Sequence, residues 1–349
     1  MKQLLPIDIV SPGSAGLNLQ NKGGILKPVW ATEAYNCVLD DSKRLACRPG
    51  YSVTTTTAIS PAVDVDVVFE YLDGSGNSEV ILSYDGGISN NIVSPVANDI
   101  SGAVSDSDGK WWFQNFNGKV VGLQHGKKPI VYAGSSFATV TESSGTAPTS
   151  HNGIGLSAYG RMWVVGSDAQ TIYYSGLLDE TDWGTASSGQ IDMSKVWTLG
   201  MDEITAIAAY NSSLIVFGNN HIIFWDDDLG SVLGFDPNNA IVRDVVAGSG
   251  CLSQWTVQQI GTSDILFVSR VGLQSLGRVK ENSSNPLDTV SKYVRDALTT
   301  AITAAGSGAI FSAYSPENGW YLLTVPSSST GALTWVFDVT NAFQDDEGS

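Results

Sequence analysis

The sequence predicts an all-β protein: a β-propeller-like body of about six hairpin-rich units, an extended and partly helical N-terminal arm, and one inserted amphipathic helix. Three observations predict it. Short apolar and aromatic runs are each broken by a Gly, Asn, Asp or Ser turn, the pattern of hairpin-rich β structure. The turns recur, with centres at residues 75, 117, 160, 211, 262 and 318 and spacings of 42, 43, 51, 51 and 56 residues, a propeller-like period. Several runs are continuous rather than alternating, as expected of strands covered on both faces. A β-sandwich of similar strand count is the second architecture compatible with this pattern.

Residues 1–57 form the arm. Its opening, Ser11-Pro12-Gly13 to Gly23-Gly24, reads as extended. Thr32 as N-cap and Glu33 in the first turn predict a short helix over Glu33–Leu39. The arm is expected to clasp the main body or a neighbour. Residues 58–344 form the body, with turns at Asp73–Asn77, Asn117-Gly118, Gly160-Arg161, Asn211–Ser213, Gly261–Asp264 and Glu317–Gly319. Two units repeat in detail: Ser157–Gly166 followed by Thr171–Ser175 matches Ala208–Gly218 followed by His221–Trp225. The helical insertion falls at about 285–305. Asn285 is its N-cap, Pro286 and Asp288 follow in the first turn, and Gly306 is its stop. Leu287, Val290, Val294, Leu298 and Ile302 lie on its apolar face. Residues 345–349 are an acidic tail.

Composition narrows the function. The 349 residues carry 18 Lys plus Arg against 35 Asp plus Glu, a formal charge of −17. This balance opposes a tight grip on nucleic acid or on an anionic membrane surface, while leaving room for DNA to slide past. No apolar run reaches the roughly 18 residues of a membrane span. The opening ten residues lack the apolar stretch of a secretory signal, so folding in a cytoplasm is expected. Cys37, Cys47 and Cys251 form no C-x-x-C pair and read as reduced, structural thiols.

Neither catalytic, cofactor nor metal residues stand out, and the chain reads as a non-enzyme. His125, His151 and His221 lack partners at metal-ligand spacing. No nucleophile elbow, P-loop or dinucleotide fingerprint occurs. The acidic clusters Asp40-Asp41, Asp64 with Asp66, Asp226-Asp227-Asp228 and Asp345-Asp346-Glu347 read as solvated turns. So does Asp106-Ser107-Asp108-Gly109, a calcium-loop fragment without its later acidic ligand. Ser83–Ser89 resembles the Asp-box turn of sialidase-like propellers. With ten tryptophans and the paired acids, it keeps a glycan-binding or glycan-hydrolysing propeller as the alternative.

Three N-terminal blocks carry a further resemblance. They are Gly16-Leu17-Asn18-Leu19-Gln20, Trp30-Ala31-Thr32-Glu33-Ala34-Tyr35-Asn36-Cys37, and Lys43-Arg44-Leu45-Ala46-Cys47-Arg48-Pro49-Gly50-Tyr51. Their order resembles the N-terminal signature of tail nozzle proteins of short-tailed bacteriophages, also described as tail tubular protein B-like or packaged-DNA stabilisation proteins. Gly16, Asn18, Glu33, Ala34, Asn36, Arg48, Pro49, Gly50 and Tyr51 match the signature. Weaker similarity continues through Tyr174-Ser175, Asp182-Trp183, the Ala208–Trp225 unit and the stretch from Gly250-Cys251 to Gly272-Leu273. The resemblance implies a structural virion protein. Its copies form a ring, six-fold in the family, that extends the portal and adaptor into a tube, retains packaged DNA and lets it leave. The implied partners are further copies, adaptor and portal proteins, tail fibres or a tail needle, and passing double-stranded DNA. The implied location is the phage tail, assembled in the host cytoplasm. Screening over about 8 Å would confine repulsion between an acidic wall and the phosphate backbone to the wall itself.

Overall fold

The computed structural model describes residues 12–339 apart from 41, 43, 51, 53–63, 86, 94–98, 103, 105–109, 199, 263, 282–288, 307–308 and 328–330. The chain divides into two compact units. One spans residues 52–247, and the other joins the N-terminal segment to the residues from 248 onward. The expected arm boundary at 57, the Asp106–Gly109 turn and the acidic tail 345–349 lie outside the described residues.

The protein is all-β, built from small antiparallel sheets. Among the described residues, 52–247 contain four. Sheet I comprises Val65–Leu72, Ser78–Tyr84 and Gly87–Ser89. Sheet II comprises Trp112–Phe116, Lys119–Leu123, Ile130–Tyr132 and Phe137–Thr139. Sheet III comprises Ser150–Ala158, Arg161–Gly166, Thr171–Tyr174 and Gly189–Asp192. Sheet IV comprises Ile204–Tyr210, Ser213–Gly218, His221–Asp227 and Ala240–Ala247. Each is a meander opened by a hairpin at or beside an expected turn; the expected Gly160-Arg161 turn is corrected to Tyr159-Gly160, with Arg161 already in the strand. The Asn117-Gly118, Tyr159-Gly160 and Asn211-Ser212 turns all place both central residues at positive φ, the twist-matched geometry of a two-residue hairpin. Of the Asp-box-like stretch, Ser83 and Tyr84 end the strand Ser78–Tyr84, and Gly87–Ser89 pairs back onto it.

The continuous apolar runs now have a physical explanation. In Arg161–Gly166, Trp163 and Val165 pack into a cluster with Ile207, Leu214, Val216 and Ile223 of sheet IV. Their neighbours Met162 and Val164 pack with Phe116, Val121 and Leu123 of sheet II. Val120 faces the other way, toward Ile81, Ile88 and Tyr71 of sheet I. Successive side chains of one strand therefore feed two cores, and neither face can be polar. At roughly 1.5–3 kcal/mol for each fully buried large apolar side chain, these interfaces are the main stabilising term of the unit. Polar links fasten the sheet edges. Trp112 Nε1–H donates to Gly155 O at 3.0 Å, Tyr71 Oη–H to Gly118 O at 2.8 Å, and Tyr159 Oη–H to Ser213 O at 2.7 Å. A short parallel ladder, Ser144-Gly145 with Asp182-Trp183, adds a contact that no hairpin pattern foretells.

The other unit holds sheet V, Gln258–Ile260, Asp264–Ser269 and Gly272–Ser275, and sheet VI, Phe311–Ser315, Trp320–Ser327 and Gly331–Asp338. Helix α1 spans Leu276–Glu281 and α2 spans Arg295–Ala305. Leu298 and Ile302 of α2 enter a core with Leu266, Val268, Leu273, Tyr321 and Leu323. Of the expected apolar face, Leu298 and Ile302 lie on the helix, Val290 and Val294 lie in the turn before it and Leu287 lies outside the described residues, so the start of the helix is corrected. Residues 290–294 are turns, Val294 supplies no side-chain cap, and helical bonding begins at Arg295. Asn285, Pro286 and Asp288 lie outside the described residues.

The expected helix over Glu33–Leu39 is also corrected. Residues 33–36 are irregular, and Cys37–Leu39 is a strand paired antiparallel with Leu45–Cys47. Asn36 sits at φ 52°, which interrupts right-handed winding, and Asp40 closes the hairpin by accepting from the Ser42 and Arg44 N–H groups, both at 2.9 Å.

Candidate interaction surfaces

The signature residues of the N-terminal segment fall into two sets. Gly16 and Asn18 fix backbone. Gly16, at φ 90°, accepts the Ala31 N–H at 2.8 Å, and Asn18 N–H donates to Ala31 O at 2.9 Å. The buried Asn18 side chain accepts from the Gln20 and Asn21 N–H groups. This braces the segment against the 290–294 turns: Leu19 N–H donates to Tyr293 O at 2.9 Å, and the Trp30 ring lies 4.3 Å from that of Tyr293. Glu33, Asn36, Arg48, Pro49 and Gly50 instead lie at the surface, with Ala34 half-buried; Tyr51 is outside the described residues. The hairpin brings Asn36 and Arg48 together through an Arg48 N–H to Asn36 O bond of 2.7 Å. Beside these residues in the chain, the turn from Lys22 to Ile25 presents an Ile that is 80% exposed between Lys22 and Lys27.

A second surface lies within residues 52–247. Leu177, Leu178 and Leu233 converge over Gly160, where a Cβ would meet their methyl groups at 3.0–3.5 Å. All three are exposed, as are Leu229 and Val232. Leu178 is held at φ 55° by its N–H to Gly160 O bond of 2.7 Å and by the Asn117 amide, which donates to Leu178 O at 3.0 Å. A bulky side chain rarely adopts that conformation, so the backbone stores strain while the leucine faces water. The neighbouring loop is stapled by Asp227, whose carboxylate accepts from the Leu229, Gly230 and Asp236 N–H groups. The sequence shows two short Leu-Leu and Val-Leu pairs here; nothing in them distinguishes an exposed patch from core.

A polar groove of about 470 Å³ opens beside the first hairpin, lined by Tyr71, Asp73, Asn77, Glu79 and Gly118 among others. Its carboxylates are occupied. Asp73 caps its own turn through Ser75 and Asn77, and Glu79 accepts from the Asn90 amide and, at 2.9 Å, from Tyr132 Oη–H. Burial and then Glu79 push the Tyr132 phenol up to about 12. The aromatic rings that suggested sugar stacking mostly pack inward: Trp111, Trp163 and Phe224 are buried.

The histidines serve local structure. His221 Nδ1 shares a 2.8 Å hydrogen bond with Asp202 and its ring lies against Trp197. Asp202 also accepts from the Glu203, Asn219 and Asn220 N–H groups, closing the hairpin into His221–Asp227. Burial opposes this carboxylate's charge, but the bonds from His221 and those N–H groups outweigh it and hold its pKa below the ordinary value. The His125 and His151 rings meet edge-on at 6.0 Å. His151 titrates below its usual range because of burial and then His125. Among the described residues no three His, Cys, Asp or Glu side chains are grouped to hold a metal.

What the fold and these surfaces define is an all-β protein of small stacked sheets with exposed apolar and signature-bearing faces. No protein-family model matches the chain, and no curated protein matches it. Among solved structures it is similar to the extracellular domain of a putative hybrid two-component system from B. thetaiotaomicron. The TM-score is 0.41 at 10% identity, over 78% of this chain and 33% of that one. The chain thus spans about a third of that structure's length.

Proposed function

We propose that this chain is a non-enzymatic structural protein of a short phage tail, a nozzle-type subunit whose copies assemble into a ring around the DNA channel. The ordered N-terminal signature from Gly16 to Gly50 supports the family reading. The observation that carries the assembly reading is the leucine-rich patch around Gly160, kept in water by a strained Leu178 and a stapled loop. Exposed contiguous apolar surface of this kind marks protein contacts. Passage of DNA is supported by charge. Within residues 52–247, 22 Asp and Glu stand against 7 Lys and Arg, so that unit carries −15 of the chain's −17. Such a wall lets a phosphate backbone slide where a basic one would hold it. Adaptor, portal and fibre proteins are the partners this role requires.

The test is negative-stain imaging with sedimentation of the purified chain, alone and with a tail adaptor ring. Rings, or stacking onto the adaptor, are expected; Val232→Asp with Leu178→Asp should abolish self-association while leaving the fold intact. A particle that stays monomeric and ignores the adaptor would overturn the reading. The alternative reading, glycan binding, would use the groove beside Tyr71. A glycan panel tested on the wild type and on Glu79→Gln discriminates it.

A further inference from the structure

The structure assigns Cys37 and Cys47 as a cross-strand dithiol, a site of reversible oxidation by small-molecule disulfides. The assignment is independent of the tail reading. The two cysteines are register partners in the hairpin of Cys37–Leu39 with Leu45–Cys47, so their side chains leave the same face. The flanking bonds identify the kind of pair. Arg48 N–H donates to Asn36 O at 2.7 Å and Asp40 N–H to Arg44 O at 2.9 Å. Positions 36/48 and 40/44 are therefore hydrogen-bonded pairs, and 37/47, one residue out of phase, is a non-hydrogen-bonded pair. In such a pair the Cα atoms lie about 4.5 Å apart and the side chains approach most closely, within the span that a disulfide bridges.

Access and chemistry agree with this placement. Both thiols are free, Cys47 exposed and Cys37 half-buried, its S–H donating to Tyr35 O at 3.0 Å. The third cysteine, Cys251, differs in every respect. It is fully buried, hydrogen-bonded to Ser253 O, and burial pushes its thiol up to about 11. A thiol held protonated in the core does not exchange.

The reaction with oxidised glutathione balances as thiol–disulfide exchange. Cys47, as thiolate, attacks one sulfur of the reagent, forming a mixed disulfide and releasing one glutathione thiol. Cys37, as thiolate, then attacks Cys47 Sγ, closing the Cys37–Cys47 bond and releasing the second. Two protein thiols are oxidised, one small disulfide is reduced to two thiols, and the two cysteine protons leave with them. The new bond closes a ring over residues 37–47, tying together the strands that hold Asn36 and Arg48 at the surface. Cys37 gives up its bond to Tyr35 O, which water replaces at this exposed site.

The test uses the full chain, equilibrated at pH 8 in graded mixtures of reduced and oxidised glutathione, quenched by alkylation and mapped by peptide mass spectrometry. The expected result is paired loss of the Cys37 and Cys47 thiols into one linked peptide in a protein of unchanged mass on a non-reducing gel. Cys251 is then alkylated only after unfolding. Cys37→Ser, which lacks the resolving thiol, should instead accumulate glutathione on Cys47. Glutathione remaining on Cys47 of the wild type to the same extent as in Cys37→Ser would overturn the proposal. So would exclusively intermolecular bonds.

Discussion

Replacing Asp202 by alanine perturbs a carboxylate that is almost fully enclosed and receives four hydrogen bonds of 2.8–2.9 Å, from His221 Nδ1 and from the N–H groups of Glu203, Asn219 and Asn220. The substitution leaves three backbone donors and one imidazole without their acceptor in a region closed by Trp197 and Gly218. A Cβ on that glycine would lie 2.6 Å from Asp202. Each orphaned donor costs about 1–3 kcal/mol, reduced wherever water enters the vacated space. We therefore expect a loss of about 3–5 kcal/mol, a fall in Tm of roughly 10 °C for a unit of this size. Chemical denaturation and calorimetry measure it. The pH dependence supplies the sharper test. Because the native pKa is depressed, the carboxylate's contribution is complete above its unfolded pKa of about 4 and is lost as pH falls through the native value. The gap between wild type and variant should therefore narrow below about pH 4. A deficit under about 1 kcal/mol at neutral pH, or one that does not narrow in acid, would refute the reasoning.

Three further outcomes follow from the same geometry. Glu142 holds the Lys128 ammonium at 2.6 Å and accepts the Ala147 N–H, and Lys128 first, then backbone N–H groups, bring its pKa down to about 2. Glu142→Gln should cost ~1 kcal/mol in urea unfolding at neutral pH, a difference that fades from the ordinary carboxyl range toward pH 2. Gly155→Ala puts a methyl 2.0 Å from Leu123 Cδ1 and 2.8 Å from Trp163 O, and should lose ~1–3 kcal/mol, whereas Gly24→Ala, with open space around it, should change stability by a few tenths at most. Leu298→Ala opens a cavity under α2 and should cost ~2–5 kcal/mol by thermal unfolding.

The hairpins were legible because their chemistry is local. Asn117, Gly118 and Gly160 sit at positive φ, and Asn and Gly are residues that tolerate it, whereas nothing in the sequence marks Tyr159 as the other turn residue. The doubly buried strands were legible from runs such as Met162-Trp163-Val164-Val165. What stayed hidden depended on partners far along the chain. Thr32 and Glu33 read as a helix start, but the strand Leu45–Cys47 captures Cys37–Leu39, and a cap signal carries no information about that partner. The same register brings together Cys37 and Cys47, whose spacing suggests no pair. The signature residues were found in the sequence, yet their division into bracing Gly16 and Asn18 and surface Asn36 and Arg48 emerges only from the hydrogen bonds. The leucine patch was not legible at all, because the strain at Leu178 and the bonds that impose it come from Gly160 and Asn117.

The bond between Leu19 and Tyr293 has a consequence for synthesis. Residues 52–247 are contiguous, so sheets I–IV can form as that stretch leaves the ribosome. The stretch around Leu19 and Trp30 has no such freedom: Trp30 must wait for Tyr293 to be translated, an interval on the order of tens of seconds at typical elongation rates. The segment that emerges early is thereby among the last to be seated.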